Sequence, residues 1–328
     1  MAVKPHADSA AALPWNPASQ PLMLAPMQGL TNRALRGVFV DWVRPDVVFT
    51  EFIRVNAGTA RGLKATDRKE AADRAGGVPL VVQLIGRNAE TLVPAALAAQ
   101  QAGAEHLNLN MGCPFGRMTP GSAGGGMLKT PENIPEILRQ LRLAISGSFS
   151  VKIRAGYENP QQIFELLPVI EAAGVDFLVL HPRTVLQKYS GRAEHGITAR
   201  VVAATRLPVI ANGDIDSAES ARRVAETTGA AGLMLGRAAI ADPLLFQRIR
   251  GQAAAEPSAA ERRAELARYL GQLLERYAEL FCGDTQVLRK LKEALAFHAD
   301  PRLREAVTGL RRAKSLAEFS DRVQALGG

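Results

Sequence analysis

A cysteine at residue 113 stands where a strand ends and a glycine-rich loop begins. The segment His106–Pro114 reads His-Leu-Asn-Leu-Asn-Met-Gly-Cys-Pro, so a short buried strand is broken at Gly112. Cys113 is one of only two cysteines in 328 residues, and the loop after it runs through Gly124–Gly126. Free cysteines are often small buried hydrophobes. Because α/β proteins carry out chemistry at the carboxyl ends of parallel strands, we interpret Cys113 as a catalytic thiol.

Polar residues follow the other short apolar runs at the same point, where each run ends. They are Pro26-Met27-Gln28, Glu51, Gln83, Asn110, Lys152 with Arg154, His181 with Arg183, Asn212-Gly213-Asp214 and Gly236-Arg237. Buried polar groups cost free energy unless something pairs with them. This set therefore indicates a polar ligand over one end of the sheet.

Glycines at the last two of these positions favour a phosphate site. Gly213 and Gly236 would let backbone N–H groups approach an anion, although glycines at such points also simply turn the chain. Lys152 interrupts an apolar strand and His181 ends one. For Lys152 this favours contact with a ligand over a surface position, and for His181 it favours contact with a ligand over a structural role. A phosphorylated planar cofactor, flavin mononucleotide (FMN), fits this combination.

Eight short apolar runs alternate with helical stretches along the chain. The runs are 22–25, 47–50, 80–84, 106–109, 149–153, 177–180, 208–211 and 232–235, and the clearest helical stretches are 89–102, 131–144, 161–173 and 217–228. This alternation predicts parallel strands with crossover helices, closing as an α/β fold of the (β/α)₈ TIM-barrel type. An open doubly wound sheet usually carries Gly-x-Gly-x-x-Gly after its first strand, and none follows here.

Three segments are predicted from the change in pattern along the chain. Residues 1–20 contain several prolines and read as a flexible extension, residues 21–250 form the barrel, and residues 251–328 form an all-helical domain. The last segment has 13 basic and 11 acidic residues, so only its clustering of basic residues, as in Arg289, Lys290 and Lys292, favours RNA over a solvated helix.

Composition limits the class of protein. The net charge of +8 is compatible with a polyanionic partner without establishing one. Two cysteines favour a reducing compartment. The sequence contains no run of 18 apolar residues, so we expect no membrane helix. The first twenty residues lack the apolar segment of a signal peptide. We expect a cytoplasmic protein without a metal or a membrane partner.

These residues, taken together, resemble a known family, the tRNA-dihydrouridine synthases. The motifs that carry the resemblance are Ala25-Pro26-Met27, Gln83, Asn110-Met-Gly-Cys113-Pro114, Lys152-Ile-Arg154, His181-Pro-Arg183-Thr184, Asn212-Gly213-Asp214 and Gly236-Arg237, in this order. The likeness covers residues 21 to about 300. Thr50–Val55 and Gly191–His195 look most like the C-type bacterial branch.

The resemblance implies a role for each matching residue. FMN would be held by Pro26, Met27, Gln28, Gln83, Lys152, His181, Asn212, Gly213, Asp214, Gly236 and Arg237. Cys113 would donate a proton to the substrate. Asn110, Arg154 and Arg183 would face the target uridine, and Arg54, Arg289, Lys290 and Lys292 would contact tRNA. Some members have a lysine soon after Cys-Pro, where this chain has Arg117, which would supply the charge instead.

The expected activity is reduction of the C5–C6 bond of a D-loop uridine, with NADPH or NADH as reductant. The C-type likeness suggests position 16, in a monomer that needs no protein partner. One alternative is an FMN barrel that acts on a free pyrimidine, like dihydroorotate dehydrogenase. The other is a non-catalytic RNA-binding flavoprotein. The basic helical segment argues against the first, and the complete set of polar strand ends argues against the second.

Overall fold

A closed parallel barrel is the central element of the protein. The computed structural model describes residues 12–56, 58, 63–115 and 123–327. Its strands are β1 (Leu22–Leu24), β2 (Val47–Phe49), β3 (Ile53–Arg54), β4 (Leu80–Ile85), β5 (His106–Met111), β6 (Ser148–Gly156), β7 (Phe177–Thr184), β8 (Val209–Asn212) and β9 (Gly232–Leu235). Pairing runs from β1 through β2, β4 and onward to β9, which returns to β1, and β3 pairs with β4 alone. The predicted (β/α)₈ barrel is confirmed.

Helices connect the strands and continue after the last one. They are α1 (Arg33–Trp42), α2 (Ala65–Ala71), α3 (Ala89–Gln101), α4 (Ile134–Ala144), α5 (Gln162–Ala172), α6 (His195–Ala204), α7 (Ala218–Thr228), α8 (Arg237–Ala241), α9 (Leu245–Ile249), α10 (Ala259–Leu280), α11 (Asp284–Ala294), α12 (Arg304–Arg312) and α13 (Leu316–Gly327). Short 3₁₀ turns include Gly124–Lys129 and Leu295–Phe297. Ser217 caps α7 through a reciprocal bond with Ser220, because a hydroxyl satisfies an N–H that the first turn leaves unpaired.

The alternation of side chains along each strand separates the core from the site. In β6, Phe149, Val151 and Ile153 belong to the large core between the barrel and its helices. The side chains between them point into the barrel, since successive residues of a strand face opposite sides. The interior near β1, β2 and β7 to β9 is filled by apolar residues such as Met23 and Phe177. Buried polar residues occupy interior positions of β4 to β6, and His181 and Asn212 extend them to β7 and β8.

Two strands extend furthest beyond their apolar runs. β6 continues to Gly156 and β7 to Thr184, and Lys152 pairs with Val179 and Arg154 with His181. The apolar pattern stops where the interior side chains become polar, so it underestimates strands that end in the site. This extension places Arg154, His181 and Arg183 on rigid backbone.

Part of the amino-terminal segment packs against the barrel. Residues 12–20 are described, and Trp15 is only 9% exposed. Its ring meets Phe177 edge-on, with the ring centroids 4.9 Å apart, inside the apolar cluster of the barrel interior. Burial of this large aromatic ring fixes residue 15 against the barrel, and the flexible extension over residues 1–20 stays a prediction.

The helices after residue 250 pack directly on the barrel. α10 lies against α1, where Phe39 contacts both Phe246 and Tyr269 edge-on. The large core cluster continues from the barrel strands into α10, α11, α12 and α13. The division into domains at residue 250 therefore stays a prediction. Within the described residues, no helix is both long and apolar enough to span a membrane.

Candidate active site

A cavity of about 700 Å³ opens at the carboxyl end of the barrel strands. Most of the residues singled out in the sequence line it: Pro26, Met27, Gln28, Asn110, Cys113, Lys152, Arg154, His181, Asn212, Gly213, Asp214, Gly236 and Arg237. They come from loops and strands far apart in the sequence, because the ends of all the barrel strands meet at this edge. Apolar side chains, including Leu30, Phe52, Met234 and Phe297, complete the walls.

Lys152 extends from β6 into the cavity. Its Nζ donates to Asn212 Oδ1 at 2.8 Å, and Asn212 Nδ2 donates to the Met234 carbonyl at 2.9 Å. Burial, and then the charge of Arg154, lowers the pKa of Lys152 to about 7. Since a buried amine without a counter-ion is unstable as a cation, this group is suited to an electron-rich ligand.

His181 is neutral in this environment. Burial first, and then the positive charges of Lys152, Arg154, Arg183 and Arg237, holds its pKa well below the ordinary range. Arg183 Nη1 lies 3.1 Å from His181 Nε2, so the arginine donates and the imidazole accepts. His181 therefore presents an uncharged ring to the cavity.

Arg183 supports the cavity wall without lining the cavity. It is 2% exposed and donates to both oxygens of Asp214, at 3.1 and 2.6 Å, and to the Ser190 and Gly191 carbonyls. Burial opposes ionisation of Asp214, but the hydrogen bonds from Arg183 and the Ala193 N–H keep its pKa below the usual value. With all these partners, Arg183 orders the loop after β7.

The Cys113 thiol lies at the cavity wall on a turn held by Asn110. Asn110 Oδ1 accepts the N–H groups of Gly112 and Cys113 at 3.1 and 2.9 Å. Arg154 Nε donates to the Gly112 carbonyl at 2.9 Å. Burial raises the pKa of the thiol, although Arg154, Lys152 and Arg54 partly oppose this. Cys113 is consequently a protonated thiol at neutral pH.

A chain of buried amides supports Asn110 from inside the barrel. Asn110 Nδ2 donates to Gln83 Oε1 at 2.9 Å, Gln83 Nε2 donates to Asn108 Oδ1 at 2.8 Å, and Asn108 Nδ2 donates to Ser150 Oγ at 2.8 Å. Thr50 Oγ1 accepts the Gln83 N–H. Every step crosses to a neighbouring strand, so the chain ties β4, β5 and β6 together directly under the thiol.

Sequence reasoning missed an aromatic residue at the cavity mouth, Tyr189. Its ring centroid lies 4.4 Å from the guanidinium carbon of Arg237 and 5.5 Å from that of Arg154. Phe115 lies across the mouth with its ring centroid 6.2 Å from that of Tyr189. An aromatic residue in the polar segment Lys188-Tyr189-Ser190-Gly191 was the available signal.

His195 is a second residue that the sequence reasoning did not assign to the site. Its Nε2 donates to the Gly213 carbonyl at 2.8 Å, which fixes the loop after β8. Gly213 has φ +114°, and a Cβ there would lie 3.1 Å from His181 Nε2. Glycine is therefore required at this position for conformational and steric reasons.

Several predicted site residues lie away from the cavity. Gln83 is 0% exposed and sits beneath the floor, and Arg183 stands behind the wall. Arg54 is exposed on β3, while Arg117 lies outside the described residues. Arg289 and Lys292 border a separate surface groove of about 570 Å³ together with Arg311. Lys290, on the same helix, instead faces the barrel.

A scan against protein-family models matches residues 23–326 to the dihydrouridine synthase (Dus) family. The match covers the barrel and the helices after it together. It spans almost all of the described residues.

Curated relatives are similar over the same region. A "Probable tRNA-dihydrouridine synthase" of Rhodobacter capsulatus is 36% identical, over 68% of this chain and 68% of that protein. A tRNA-dihydrouridine synthase B of Pseudomonas syringae pv. tomato is 34% identical over 70% and 67%. A tRNA-dihydrouridine(16) synthase of Pseudomonas putida is also 34% identical, over 68% and 71%. The B and (16) types are thus equally similar to this chain.

Solved structures show the same fold at much lower identity. Morphinone reductase superposes with a TM-score of 0.52 and 15% identity, over 74% of this chain and 88% of its own. The structure of TcOYE with pHBA gives a TM-score of 0.53 at 13% identity, over 76% and 94%. These likenesses support the barrel architecture.

Proposed function

Because this chain belongs to the dihydrouridine synthase family, we propose that it reduces the C5–C6 double bond of a uridine in tRNA, with FMN as bound cofactor and NADPH as reductant. The observation that carries the proposal is the cavity, which brings Cys113 together with Lys152, His181 and Arg237 at one end of the barrel. The names of the relatives support tRNA as the substrate.

The cavity suits a phosphorylated planar cofactor. Its volume of about 700 Å³ is typical of sites for ligands of this size. Lys152, Arg154 and Arg237 supply positive charge, against Asp214 and Asp216, and Asp214 is already paired with Arg183. We propose that the loops after β8 and β9, with Gly213 and Gly236, hold the phosphate, and that Lys152 meets the ring system.

Cys113 would act as the proton donor. When bound, FMN reduced by NADPH would supply the hydride chemistry that C6 of the uridine requires. Cys113 Sγ–H then gives its proton to C5, and solvent returns a proton to the thiolate. Since burial raises the pKa of Cys113, the thiol is protonated when the substrate arrives. Raising this pKa favours an acid over a nucleophile, which would need a lowered pKa.

The residues around the mouth would receive the uridine after it leaves its stack. An enzyme that acts on a base in folded RNA extrudes that base and offsets the unstacking by new contacts. Tyr189 and Phe115 offer ring faces at the mouth, and Arg154 is fixed beside them by the Thr184 and Lys188 carbonyls. We propose that Arg289 and Lys292, at the surface groove of α11, contact the body of the tRNA.

We propose position 16 of the D-loop as the modified uridine. The support is the sequence of Thr50–Val55 and Gly191–His195, together with the relative named for position 16. Mass-spectrometric mapping of dihydrouridine in the product tRNA tests this assignment. Mass at position 16 is expected to rise by two hydrogens, and modification at another D-loop position would refute it.

The activity is tested by an anaerobic spectrum. Protein reduced with NADPH is mixed with tRNA that lacks dihydrouridine, and flavin absorbance is followed together with the RNA product. Recovery of oxidised-flavin absorbance, with dihydrouridine formed, is the expected result. A flavin that is reduced but never reoxidised by tRNA would contradict the substrate. Purified protein that neither contains nor binds flavin would contradict the cofactor.

A further inference from the structure

The loop after β1 forms part of the cavity wall, and a turn at Gly29 determines its shape. Met27, Gln28 and Leu30 line the cavity. The N–H groups of Leu30 and Thr31 both donate to the Met27 carbonyl at 3.0 Å, and Gly29 has φ +83°. These hydrogen bonds fix the conformation of the turn. Its position over the cavity depends on contacts with side chains from other parts of the chain.

Two charged side chains from different parts of the chain hold Gly29. Glu51, just after β2, accepts the Gly29 N–H through Oε2 at 2.8 Å. Lys290, on α11, donates from Nζ to the Gly29 carbonyl at 2.9 Å. Lys290 also donates to Glu293 Oε2 at 2.6 Å. The two peptide groups that flank Gly29 are therefore fixed by a carboxylate on one side and an ammonium on the other.

Lys290 is separated by burial from its basic neighbours on the same helix. The Lys290 side chain is 15% exposed, whereas that of Arg289 is 65% exposed. Lys290 Nζ also lies 5.9 Å from the centroid of the Phe281 ring. Arg289 and Lys292 border the surface groove instead. α11 thus presents Arg289 to solvent and Lys290 to the cavity loop, while Lys292 Nζ donates to the Ala313 carbonyl.

The same helix reaches the cavity again at its carboxyl end. The 3₁₀ turn Leu295–Phe297 follows α11 directly, and Phe297 lines the cavity. α11 is therefore linked to the cavity wall at two points, through the bond from Lys290 to Gly29 and through the turn after Ala294. A displacement of α11 would be transmitted to the β1 loop through the Lys290 contact.

We propose that Lys290 is a positioning residue for the flavin site: with Glu51, it holds the Gly29 turn so that Met27, Gln28 and Leu30 keep the cavity open for the cofactor. This role replaces the direct tRNA contact expected from the sequence. This inference rests on the proposed function, because the ligand for which the loop is positioned is the FMN of that proposal. Hydrogen bonds to charged groups are stronger than neutral ones, so loss of the ammonium should loosen the loop.

The matched pair Lys290→Met and Arg289→Ala tests the proposal. FMN is titrated into cofactor-free protein without RNA, and affinity is read from flavin fluorescence and visible circular dichroism. Lys290→Met is expected to weaken FMN binding by roughly tenfold or more, from the loss of one charge-assisted bond. It should also alter the dichroism of the bound flavin. Arg289→Ala should leave both unchanged and weaken tRNA binding instead.

Lys290→Arg is the conservative variant. It keeps a charged donor that can reach the Gly29 carbonyl, so FMN affinity should recover to within about threefold of the wild-type value. Melting temperatures of the cofactor-free variants show whether each protein is folded. If Lys290→Met does not fold, FMN affinity is compared between Lys290→Arg and Glu51→Gln instead. The glutamine retains an acceptor for the Gly29 N–H but removes the negative charge near Lys290.

Two other results have separate meanings. A Lys290→Met protein with wild-type FMN affinity and weaker tRNA binding would overturn the positioning role and restore the direct RNA contact. Failure of the wild-type protein to bind FMN would instead overturn the proposed function. The two failures are distinguishable because the second is visible before any variant is made.

Discussion

At the residue scale, the chemistry depends on how burial and charge act on two groups, Cys113 and Lys152. Burial disfavours the charged form of both, which raises the pKa of the thiol and lowers that of the amine to about 7. Arg154 adds positive charge next to both, partly opposing the effect on Cys113 and reinforcing it on Lys152. The site therefore holds a protonated acid beside an amine that is only half charged near neutral pH.

Replacing Cys113 by alanine should separate chemistry from binding. We expect Cys113→Ala to keep its FMN and its tRNA affinity while turnover falls by roughly 10²- to 10⁴-fold, the usual contribution of a general acid. Single-turnover oxidation of reduced flavin by tRNA is the measurement. Cys282→Ala, which removes an exposed thiol, is the control and should have normal rates. Normal turnover by Cys113→Ala would refute the proton-donor role.

Lys152 should make FMN binding depend on pH. An anionic ligand beside Lys152 favours the ammonium and raises its pKa above the value of about 7 in the free protein. Binding then takes up a proton, so affinity should fall as pH rises from 7 to 9, by up to about tenfold per unit. His181 stays neutral there, because burial and nearby cations hold its pKa well below the ordinary range.

Calorimetric titrations in buffers of different ionisation enthalpy measure this proton uptake. Lys152→Met should bind FMN more weakly and lose the pH dependence between 7 and 9. A pH dependence that survives in Lys152→Met would assign it to another group.

At the scale of the secondary-structure elements, the amide chain across β4, β5 and β6 sets the position of the thiol. Asn108 is 1% exposed and holds Gln83 on one side and Ser150 on the other. Gln83 in turn holds the Asn110 side chain, whose Oδ1 accepts the Cys113 N–H and fixes the Cys113 turn. A change at Asn108, which does not line the cavity, can therefore reach the thiol without any contact with a ligand.

Asn108→Leu should expose this dependence. The substitution leaves Gln83 Nε2 without its acceptor, so the free energy of unfolding should fall by about 1–3 kcal/mol. Ser150 Oγ loses its donor but keeps its bond to the Leu107 carbonyl. We expect kcat to fall more than KM for tRNA rises, because the thiol is displaced and the RNA surface is untouched. Ser150→Ala cuts only the far end of the chain and should have a smaller effect. An unchanged kcat in a folded Asn108→Leu protein would contradict the positioning role of this chain.

At the scale of the whole molecule, buried ion pairs join the barrel to the helices after it. Arg248 contacts Asp242 at 2.8 Å and Glu265 at 2.5 Å, and Arg262 contacts Asp242, Glu265 and Asp300 at 2.9, 2.7 and 3.2 Å. Both arginine side chains are nearly inaccessible to solvent. Breaking one side of such a network is costly, because it leaves buried charges without partners.

Deleting residues 251–328 should therefore damage the barrel itself. The deletion would uncover the face of α1 that packs on α10 and would strand Asp242 and Arg248 without Glu265 and Arg262. We expect the full chain to unfold in one cooperative transition, with fluorescence and far-ultraviolet circular dichroism coincident in denaturant. The truncated chain should melt at a much lower temperature or aggregate. A truncated barrel that binds FMN with wild-type stability would contradict this and support an independent domain.

Local sequence pattern was sufficient to predict the barrel and most of the polar residues that line its cavity. Strand positions follow from short apolar runs such as 80–84 and 232–235, since these depend on residues close together in the chain. Once parallel strands are predicted, their polar ends must converge at one edge, which is why the sequence alone groups Cys113, Lys152 and Asn212. The family resemblance, which the family match confirms, depends on the same motifs.

Only the tertiary structure decided which of these side chains face the cavity. Gln83 lies under the floor, Arg183 turns to Asp214, and Lys290 faces Gly29 rather than solvent. Tyr189 reaches the mouth from a loop whose path no periodic pattern describes. The direction of a loop or of one helix face depends on packing between residues hundreds of positions apart, such as Gly29 and Lys290, and local patterns carry no information about that packing.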